Sequence, residues 1–507
     1  MKPLRHLSLS FLMLLLSASV TAQVNYQKRI EFDTKDGFDN EEIHPFGSNG
    51  FIMSSRSEET QDGEAEWNYE LYNTDLESVK LKSVKINKKF SSDETYSNSE
   101  GLCVFYRDKK GNFSLVSVGA KDLAIEQAEG KLPKKTYVGD MVVLGDYAFL
   151  KASVKKKPFL ISVNRKTGRS NLIPIIIGDY SAKKTYIQRM QVLEKSGEIL
   201  VFVEVTVKKK KNEIYVVQLN SEGEKTGMFH FTDRINENII DISGTNVGSD
   251  AYVFTGTYSR SGVVSSEGIF FSRVEKEKVD FIKFYKFTDL KQFLSYLPQR
   301  EQDKMEKKMQ KKESKGKELT YNYRIADHAV IKAGDDFLFL GEAFYPTYRQ
   351  EAYTTTRTVN GVTTTTTQYR TVFDGYQYTH AVLAKFNDKG KLLWDQTFAM
   401  WPAYKPYFVK RFISVAEQTD DDIKMVFASY NRIVSKTVAM DGTVTQENKS
   451  NVIETGFSGD KAKYSYSNID YWYGRFFIAF GNQVIKNKED KSVKRKRKVF
   501  FISKVEY

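Results

Sequence analysis

A short, strongly apolar segment returns along this chain at a spacing of about fifty residues. Its eight occurrences begin at positions 50, 101, 147, 198, 251, 336, 423 and 475, so two of the intervals are markedly longer than the other five. In four units a second apolar run follows and ends in a glycine turn, at Gly168, Gly223, Gly390 and Gly442. A period near fifty with about four short strands per unit is typical of propeller blades. The chain is therefore predicted to be all-β, a β-propeller of about eight blades, with seven as the close alternative.

The two ends of the chain are predicted to meet in one blade. The last unit has predicted strands at 474–484 and 498–507, and the chain ends before another strand follows. The predicted strand at 24–32 belongs to none of the eight units. Because one blade cannot bury both of its faces alone, neighbouring blades must stack around an axis. We expect the N-terminal strand to complete the final blade. A β-solenoid and two smaller β domains are the alternatives.

One unit carries a tryptophan four residues after its turn glycine, in the order Ala384, Gly390 and Trp394. This pattern resembles the blade motif of the quinone-enzyme-type propellers, whose repeats pack a tryptophan between blades. Phe386 and Lys389 stand where that motif usually has an aspartate and a threonine. The resemblance implies blade architecture, and it implies neither a quinone cofactor nor an alcohol-oxidising activity.

The N-terminus has the three parts of a secretory signal peptide. Lys2 and Arg5 form a basic region, 7–16 is apolar, and small residues precede a predicted cleavage after Ala22. No later window reaches the length of uncharged apolar sequence that a transmembrane helix needs. We expect residues 1–22 to be removed, and 23–507 to form one exported propeller domain in the periplasm, the outer envelope or the medium of a bacterium.

The cysteine content indicates how the fold is stabilised, and the net charge indicates the class of partner. The single cysteine, Cys103, lies in an apolar run and has no second cysteine to pair with, so stability must come from a core. The net charge of +13 includes Lys2 and Arg5 of the signal peptide. A basic exported chain is suited to anionic surroundings. The expected partner is an envelope protein or an anionic polysaccharide, and nucleic acid is not expected.

The first long interval contains an insertion at 288–319 that changes to a helical pattern. Apolar residues share one helical face over 290–297, Pro298 interrupts the pattern, and a strongly charged segment follows with only Met305 and Met309 as an apolar pair. We expect a charged, mostly solvated connecting helix; a basic partner-binding or membrane-surface helix is the alternative.

The second insertion, 345–380, has threonine-rich arms around Asn360-Gly361, the strongest short hairpin signal. Threonine on both faces commits neither face to a core, so this hairpin is expected to project. Decoration of a loop is the alternative to partner contact. The candidate contact residues are Arg357, Asn360, Gly361, Tyr369 and Arg370.

In a propeller the first strand of each blade lines the central channel, and here those strands precede the apolar segments by about ten residues. Charged residues at these positions could bind a charged ligand, a sugar or a metal ion, or they could simply face channel water. The channel candidates are Glu42, His44, Asp140, Arg189, Asp241, Asp327 and His328.

Motifs for specific chemistry are missing from the sequence. It contains no H-E-x-x-H, no G-x-S-x-G, and neither a phosphate-loop nor a dinucleotide fingerprint, so no catalytic residue, metal or cofactor is predicted. The predicted function is an exported, non-enzymatic binding or scaffold protein of the bacterial cell envelope. A propeller hydrolase or lyase acting on extracellular glycans is the runner-up, because its carboxylates would come from different blades. A structural envelope component is the third possibility.

Overall fold

A computed structural model of the chain describes residues 25–34, 41–61, 63–233, 235–316, 319–416 and 422–507. Within these residues the strands form eight antiparallel sheets, each with at least four strands, and the first strands of neighbouring sheets contact one another around a common axis. The prediction of an eight-bladed β-propeller is confirmed. The predicted signal peptide, 1–22, lies outside the described residues.

The described part begins with strand β1 (Asn25–Asp33), which belongs to the last blade, and blades 1 to 3 follow with their strands in order from the axis outward. Blade 1 contains β2 (Glu42–Pro45), β3 (Phe51–Gln61), β4 (Glu64–Tyr72) and β5 (Ser78–Asn87). Blade 2 contains β6 (Ser91–Asn98), β7 (Gly101–Arg107), β8 (Asn112–Gly119) and β9 (Ile125–Lys131). Blade 3 contains β10 (Tyr137–Leu144), β11 (Tyr147–Val154), β12 (Lys157–Asn164) and β13 (Ser170–Pro174).

Blades 4 to 6 repeat the arrangement, with one helix between blades 5 and 6. Blade 4 contains β14 (Thr185–Leu193), β15 (Glu198–Lys208), β16 (Lys211–Leu219) and β17 (Lys225–His230). Blade 5 contains β18 (Asn238–Gly248), β19 (Ala251–Ser259), β20 (Gly268–Glu275) and β21 (Lys278–Lys286), and helix α1 (Gln299–Glu313) follows. Blade 6 contains β22 (Arg324–Asp327), the extra strand β23 (Ile331–Ala333), β24 (Asp336–Val359), β25 (Val362–Phe386) and β26 (Leu392–Ala399).

The last two blades close the ring. Blade 7 contains β27 (Ser414–Val415), β28 (Asp422–Ser429), β29 (Arg432–Ala439) and β30 (Val444–Val452). Blade 8 contains β31 (Asp460–Tyr473), β32 (Phe476–Asn487) and β33 (Lys496–Glu506), and β1 is its outermost strand. The pairing of β1 with β33, from Asn25 opposite Glu506 to Asp33 opposite Val499, confirms that the N-terminal strand completes the final blade.

The core is a ring of apolar clusters, one between each pair of neighbouring blades. Between blades 8 and 1, for example, Ile478 and Phe500 pack with Phe51. Cys103 is buried between blades 2 and 3. Each sheet thus buries both faces, which is why its strands are apolar in unbroken runs rather than in alternation.

Trp394, the tryptophan of the resembling blade motif, lies between blades 6 and 7. Its indole Nε1 donates a hydrogen bond to the carbonyl oxygen of Met440 at 3.0 Å. Gly442 packs directly on the indole, since a Cβ atom there would lie 2.6 Å from its Cγ. The turn glycine is therefore needed for the close approach of two blades as well as for its φ of 92°.

The insertion at 288–319 differs from its expected pattern. Residues 290–297 do not form an α-helix; a 3-10 turn, Phe287–Asp289, leads into irregular turns instead. The carboxylate of Asp395 accepts hydrogen bonds from the backbone N–H groups of Lys291 and Gln292, at 2.9 and 2.6 Å, and later N–H groups of the segment donate to carbonyl oxygens three residues earlier, as in successive turns. Helix α1 begins after Pro298, and none of the helices in the described part is long and apolar enough to cross a membrane.

In blade 6, β24 and β25 extend far beyond their neighbours as a two-stranded hairpin. Asn360 and Gly361 form its turn with φ of 50° and 79°, the two positive values that a type I′ turn requires. β24 pairs with β22 only as far as Phe344, and β25 pairs with β26 only from His380 onward. The part of the hairpin beyond these two residues projects from the blade with both edges free of other strands.

Candidate functional site

The inner strands of blades 2 to 5 share a β-bulge, and a charged residue follows it in each blade. The extra residue lies at position 93, 139, 188 or 240 of the respective strand. A bulge bends the strand and redirects the side chain after it. The four residues that the bulges redirect are Glu94, Asp140, Arg189 and Asp241.

Three of these four were predicted from the sequence, and Glu94 was missed. Burial, together with the carboxylates of Asp140 and Asp93, raises the pKa of Glu94 to about 7. The signal was available, because Glu94 precedes its apolar segment at Gly101 by the same distance as Asp140 precedes its own. Burial also raises the pKa of Asp140, although the ammonium of Lys151 opposes this shift.

Arg189 of blade 4 reaches across blade 5 to Asp327 of blade 6. Its Nη1 donates to Oδ2 of Asp327 at 3.2 Å and to the carbonyl oxygen of Ile242 at 3.1 Å, and its Nη2 donates to the carbonyl oxygen of Asp327 at 3.2 Å. Arg411, which precedes blade 7, donates to the same carbonyl oxygen. The side chain of Asp327 is fully buried, so the two guanidinium groups supply its counter-charge.

Asp241 and Asp327 form an acid pair whose pKa values are shifted in opposite directions. Burial, the charge of Asp327 and a hydrogen bond with it raise the pKa of Asp241 well above its ordinary value. Burial also disfavours ionisation of Asp327, but Arg189, the hydrogen bond from Asp241 and Arg411 together lower the pKa of Asp327. Asp241 therefore keeps its proton to higher pH than Asp327 and is the member of the pair that can donate the hydrogen bond between them.

His328 lies beside this pair and contacts a carboxylate that the sequence did not reveal. Its Nε2 is 2.8 Å from Oε1 of Glu342, which is fully buried. Oε1 of Glu342 also accepts the backbone N–H groups of Phe412 and Ile413, both at 2.9 Å. Glu342 thereby fixes the segment that carries Arg411 into the channel.

Glu42 and His44, the remaining channel candidates, line a cavity of about 430 Å³ between blades 7, 8 and 1. Lys410, Arg411 and Asp470 line the same cavity. Burial raises the pKa of Glu42 and lowers that of His44 to about 4, so the imidazole is neutral at physiological pH. Burial raises the pKa of Asp470 to about 6, against the opposing effect of Lys410.

The predicted channel residues thus separate into two groups. Asp140, Arg189, Asp241, Asp327 and His328 lie along blades 3 to 6, whereas Glu42 and His44 lie on the other side, with Arg411 between the two groups. In the described part of the chain, no group of three or more histidine, cysteine or acidic residues is arranged to hold a metal ion. The channel geometry consists of paired charges, and it points to no particular metal or cofactor.

The hairpin candidates differ in whether their side chains are engaged within the hairpin or exposed to a partner. Nε and Nη2 of Arg370 donate to Oε2 of Glu351, at 2.9 and 2.7 Å, so Arg370 is engaged within the hairpin. Arg357 is exposed near the tip, and the side chain of Tyr369 is 72% exposed. Asn360 and Gly361 form the turn itself.

A surface that the sequence did not predict surrounds the base of the hairpin. The loop 400–413 packs there, since the backbone N–H of Tyr376 donates to the carbonyl oxygen of Pro406 at 2.8 Å and Lys405 pairs with Asp374 at 3.0 Å. We call the exposed apolar side chains at this place the aromatic base: Tyr345, Tyr348, Trp401, Tyr407, Phe408 and Val409. The loop that contributes four of these six side chains also contains Lys410 and Arg411, so the hairpin and the channel share one connecting segment.

No protein-family model and no curated protein matches this chain. Among solved structures it is similar to a prolyl endopeptidase, with 10% identity and a TM-score of 0.40 over 90% of this chain and 54% of that one. It is similar to the polysaccharide lyase Uly1, with 9% identity and a TM-score of 0.38 over 95% and 99% of the two chains. Oligopeptidase B from Leishmania major gives 8% identity and 0.38, over 89% and 54%. The chain spans about half the length of the two peptidases, and likenesses this remote carry no argument about activity.

Proposed function

We propose that this chain is an exported, non-enzymatic binding or scaffold protein of the bacterial cell envelope, which holds a protein partner with its hairpin and aromatic base. The observation that carries the proposal is the projecting part of β24 and β25, whose two edges pair with no other strand of the described chain. A free strand edge presents unpaired N–H and C=O groups, and adding a strand from another protein is a common mode of recognition.

The amino-acid composition of the projecting hairpin favours binding to a protein partner. A two-stranded hairpin is marginally stable in water by itself, and threonine-rich strands have high β propensity without a core to bury. The aromatic base adds exposed apolar side chains at its foot, with Tyr348 62% and Phe408 67% exposed. Exposed apolar patches of this kind mark interaction sites in monomeric proteins.

The state of the channel acids favours a binding role over catalysis. Glycoside hydrolysis uses two carboxyl groups about 5 to 10 Å apart, with room for sugar or water between them. Asp241 and Asp327 instead hydrogen-bond each other directly, and Asp327 is buried under two guanidinium groups. These carboxylates stabilise one another and the channel wall, which leaves them unsuited to proton transfer with a substrate.

A glycan-acting enzyme is the second candidate function, and Asp470 is the observation that favours it. Its pKa of about 6 suits a general acid or base near neutral pH, and it borders a cavity together with Glu42 and Lys410. If the chain is such an enzyme, Asp470→Asn abolishes its activity on envelope polysaccharide while leaving partner capture intact. A binding protein shows no such activity in the intact chain.

The experiment is a pull-down from bacterial envelope extract with chain 23–507 and with a variant in which Asn-Gly replaces 349–372. Tyr348 and Phe373 are opposite each other in the hairpin, so this variant keeps a two-residue turn and the aromatic base. Leu172→Ser is the control, because Leu172 is 58% exposed on the outer strand of blade 3. We expect one protein to be captured by the intact chain and the control, and to be lost or strongly reduced with the shortened hairpin. Equal capture by all three contradicts the proposal.

A further inference from the structure

A second cavity, of about 370 Å³, opens between blades 3 and 4. The strands of each blade are antiparallel and run outward in chain order, so the turn between second and third strands lies on the same face as the connection to the next blade. The cavity is on this face, which also bears the hairpin. Four lysines line it, and none of the acidic side chains of the described residues does; the lysines are Lys151, Lys156, Lys183 and Lys184.

The lysines at the rim have no counter-charge of their own. Lys156, Lys183 and Lys184 are exposed, and within the described part of the chain none of them forms an ion pair. Lys151, deeper in the cavity, donates to the hydroxyl of Tyr186 at 3.1 Å and to a backbone carbonyl at 3.2 Å. Several cations that converge on one concavity repel each other and attract an anion.

One of these lysines is held in a conformation that lysine disfavours. Lys155 and Lys156 form the turn between β11 and β12 with φ of 48° and 65°. Turns with two positive φ values are ordinarily made by Asn-Gly. Strained backbone of this kind occurs at binding sites, where the position of a side chain matters more than local stability.

Two tyrosines flank the lysines. Tyr137 is 66% exposed and Tyr186 is 55% exposed, and both line the cavity. Exposed tyrosine rings combine an apolar face with a polar hydroxyl, which suits the apolar face and hydroxyl rim of a sugar ring. Lysine is a mobile point charge that accepts a carboxylate or a sulfate in many orientations.

A second, larger basic cleft is lined by the chain segment that leads to Tyr137. Part of the connection between blades 2 and 3 lines a neighbouring cleft of about 810 Å³ between blades 1 and 2, whereas Tyr137 and Gly139, which follow in the chain, line the smaller cavity. The lining of this cleft includes Arg56, Arg107 and some carboxylates. It also includes four lysines: Lys88, Lys89, Lys109 and Lys135. Two basic concavities that follow one another along the chain fit an extended polymer, whereas a flat lipid surface would meet only their rims.

We propose that the cavity between blades 3 and 4 binds an acidic polysaccharide, with Lys156, Lys183 and Lys184 on its carboxylate or sulfate groups and Tyr137 and Tyr186 against its sugar rings. The site is separate from the hairpin, on a different set of blades. Its ligand and the protein partner of the hairpin can therefore be held at the same time.

The test is binding of chain 23–507 to polygalacturonate, dextran sulfate and neutral dextran by affinity electrophoresis at two salt concentrations. We expect binding to at least one acidic polymer and none to dextran; the polymer that binds identifies the acidic group. Lys183→Glu/Lys184→Glu should weaken binding at least about tenfold at low salt. Lys307→Glu/Lys308→Glu, on the exposed side of α1, makes the same charge change and should weaken it less than about twofold.

A second variant separates stacking from net charge. Tyr186→Ala should weaken binding about fivefold at both salt concentrations, because contact with a sugar ring is not screened by salt. Equal losses from the two double-lysine variants would overturn the proposal, since they would indicate attraction by net charge alone. Binding to vesicles that contain phosphatidylglycerol, without binding to either acidic polymer, would overturn it in favour of a membrane surface, and absence of all binding would overturn it as well.

Discussion

Arg189 and Asp327 form a buried ion pair across the channel, with Nη1 and Oδ2 3.2 Å apart, although they belong to blades 4 and 6. Blade 5, between them, contributes to the same cluster the carboxyl of Asp241, whose pKa is raised by burial and by the charge of Asp327. The pair therefore ties three blades together at the axis, where apolar packing is replaced by polar inner strands. Loss of one partner would leave a charge in a region that water reaches poorly.

The two aspartates are expected to respond differently to amidation. Asp327→Asn leaves Arg189 without its counter-charge and should destabilise the fold by about 3 to 5 kcal/mol. Asp241→Asn keeps a donor toward Asp327 and should cost less than about 1 kcal/mol. Chemical denaturation at pH 7 measures both differences. Equal losses, or a larger loss from Asp241→Asn, would show that the protonation states are assigned to the wrong members.

Asp470 is expected to make stability depend on pH. Its pKa is raised from 3.8 to about 6 in the fold, so the folded state binds more protons than the unfolded state between these values. Stability contributed by the neutral acid is present below about pH 4 and is lost as pH rises through about 6. Asp470→Asn should thus be more stable than the unsubstituted chain by about 1 to 2 kcal/mol at pH 7.5. Denaturation curves that keep the same difference at pH 4 would refute this assignment.

Gly442 is expected to tolerate no side chain, because Trp394 occupies the space. Its φ of 92° disfavours alanine, and a Cβ atom would lie 2.6 Å from the indole. Gly442→Ala should cost about 2 to 4 kcal/mol. Gly474 is the matched control, with φ of 52° and no atom within 4 Å of its Cβ position, and Gly474→Ala should cost about 1 kcal/mol. Similar costs at the two positions would mean that backbone strain, and not contact between blades, sets the requirement for glycine.

Strand β1 is expected to be essential for closure. A chain that begins at residue 35 lacks the outer strand of blade 8 and exposes the edge of β33. It should lose about 5 kcal/mol or more, a loss comparable with the whole stability of a typical domain, and it should aggregate. The variant with a shortened hairpin loses more residues, yet its melting temperature should change by less than about 2 °C, because the arms contact no core. If the two variants melt alike, β1 does not close the ring.

The sequence predicts the fold of this protein more fully than its candidate site. Each blade must bury both faces, so the apolar second strand recurs, and its period predicts about eight blades. The incomplete last unit and the unassigned strand at 24–32 predict the closing role of β1. The contacts between channel residues are harder to predict from the sequence, because the charged side chains that meet there belong to blades far apart in the chain. Asp140, Arg189 and Asp241 are detected by their distance from the apolar second strand. The bulges that redirect them leave no mark in the sequence.

Other parts of the site follow from tertiary contacts that no local pattern contains. Loop 400–413 reads as an irregular connection, yet it builds the aromatic base and delivers Arg411 to Asp327. The segment 290–297 has helical periodicity, but it folds into successive turns whose start is held by the carboxylate of Asp395, from a strand about one hundred residues later. In both cases a residue distant in sequence decides the local structure.

The most direct test of the proposed binding role is photo-crosslinking from the hairpin in living cells, with p-benzoylphenylalanine at Tyr369 and, as the control, at Leu172. Tyr369 is 72% exposed on the projecting arm, and Leu172 is 58% exposed on blade 3. We expect one crosslinked envelope protein from position 369, absent from position 172 and absent when Thr355→Arg/Thr366→Arg is added to the same hairpin. A result with no crosslink from position 369, or with the same products from both positions, would contradict a scaffold that acts through its hairpin.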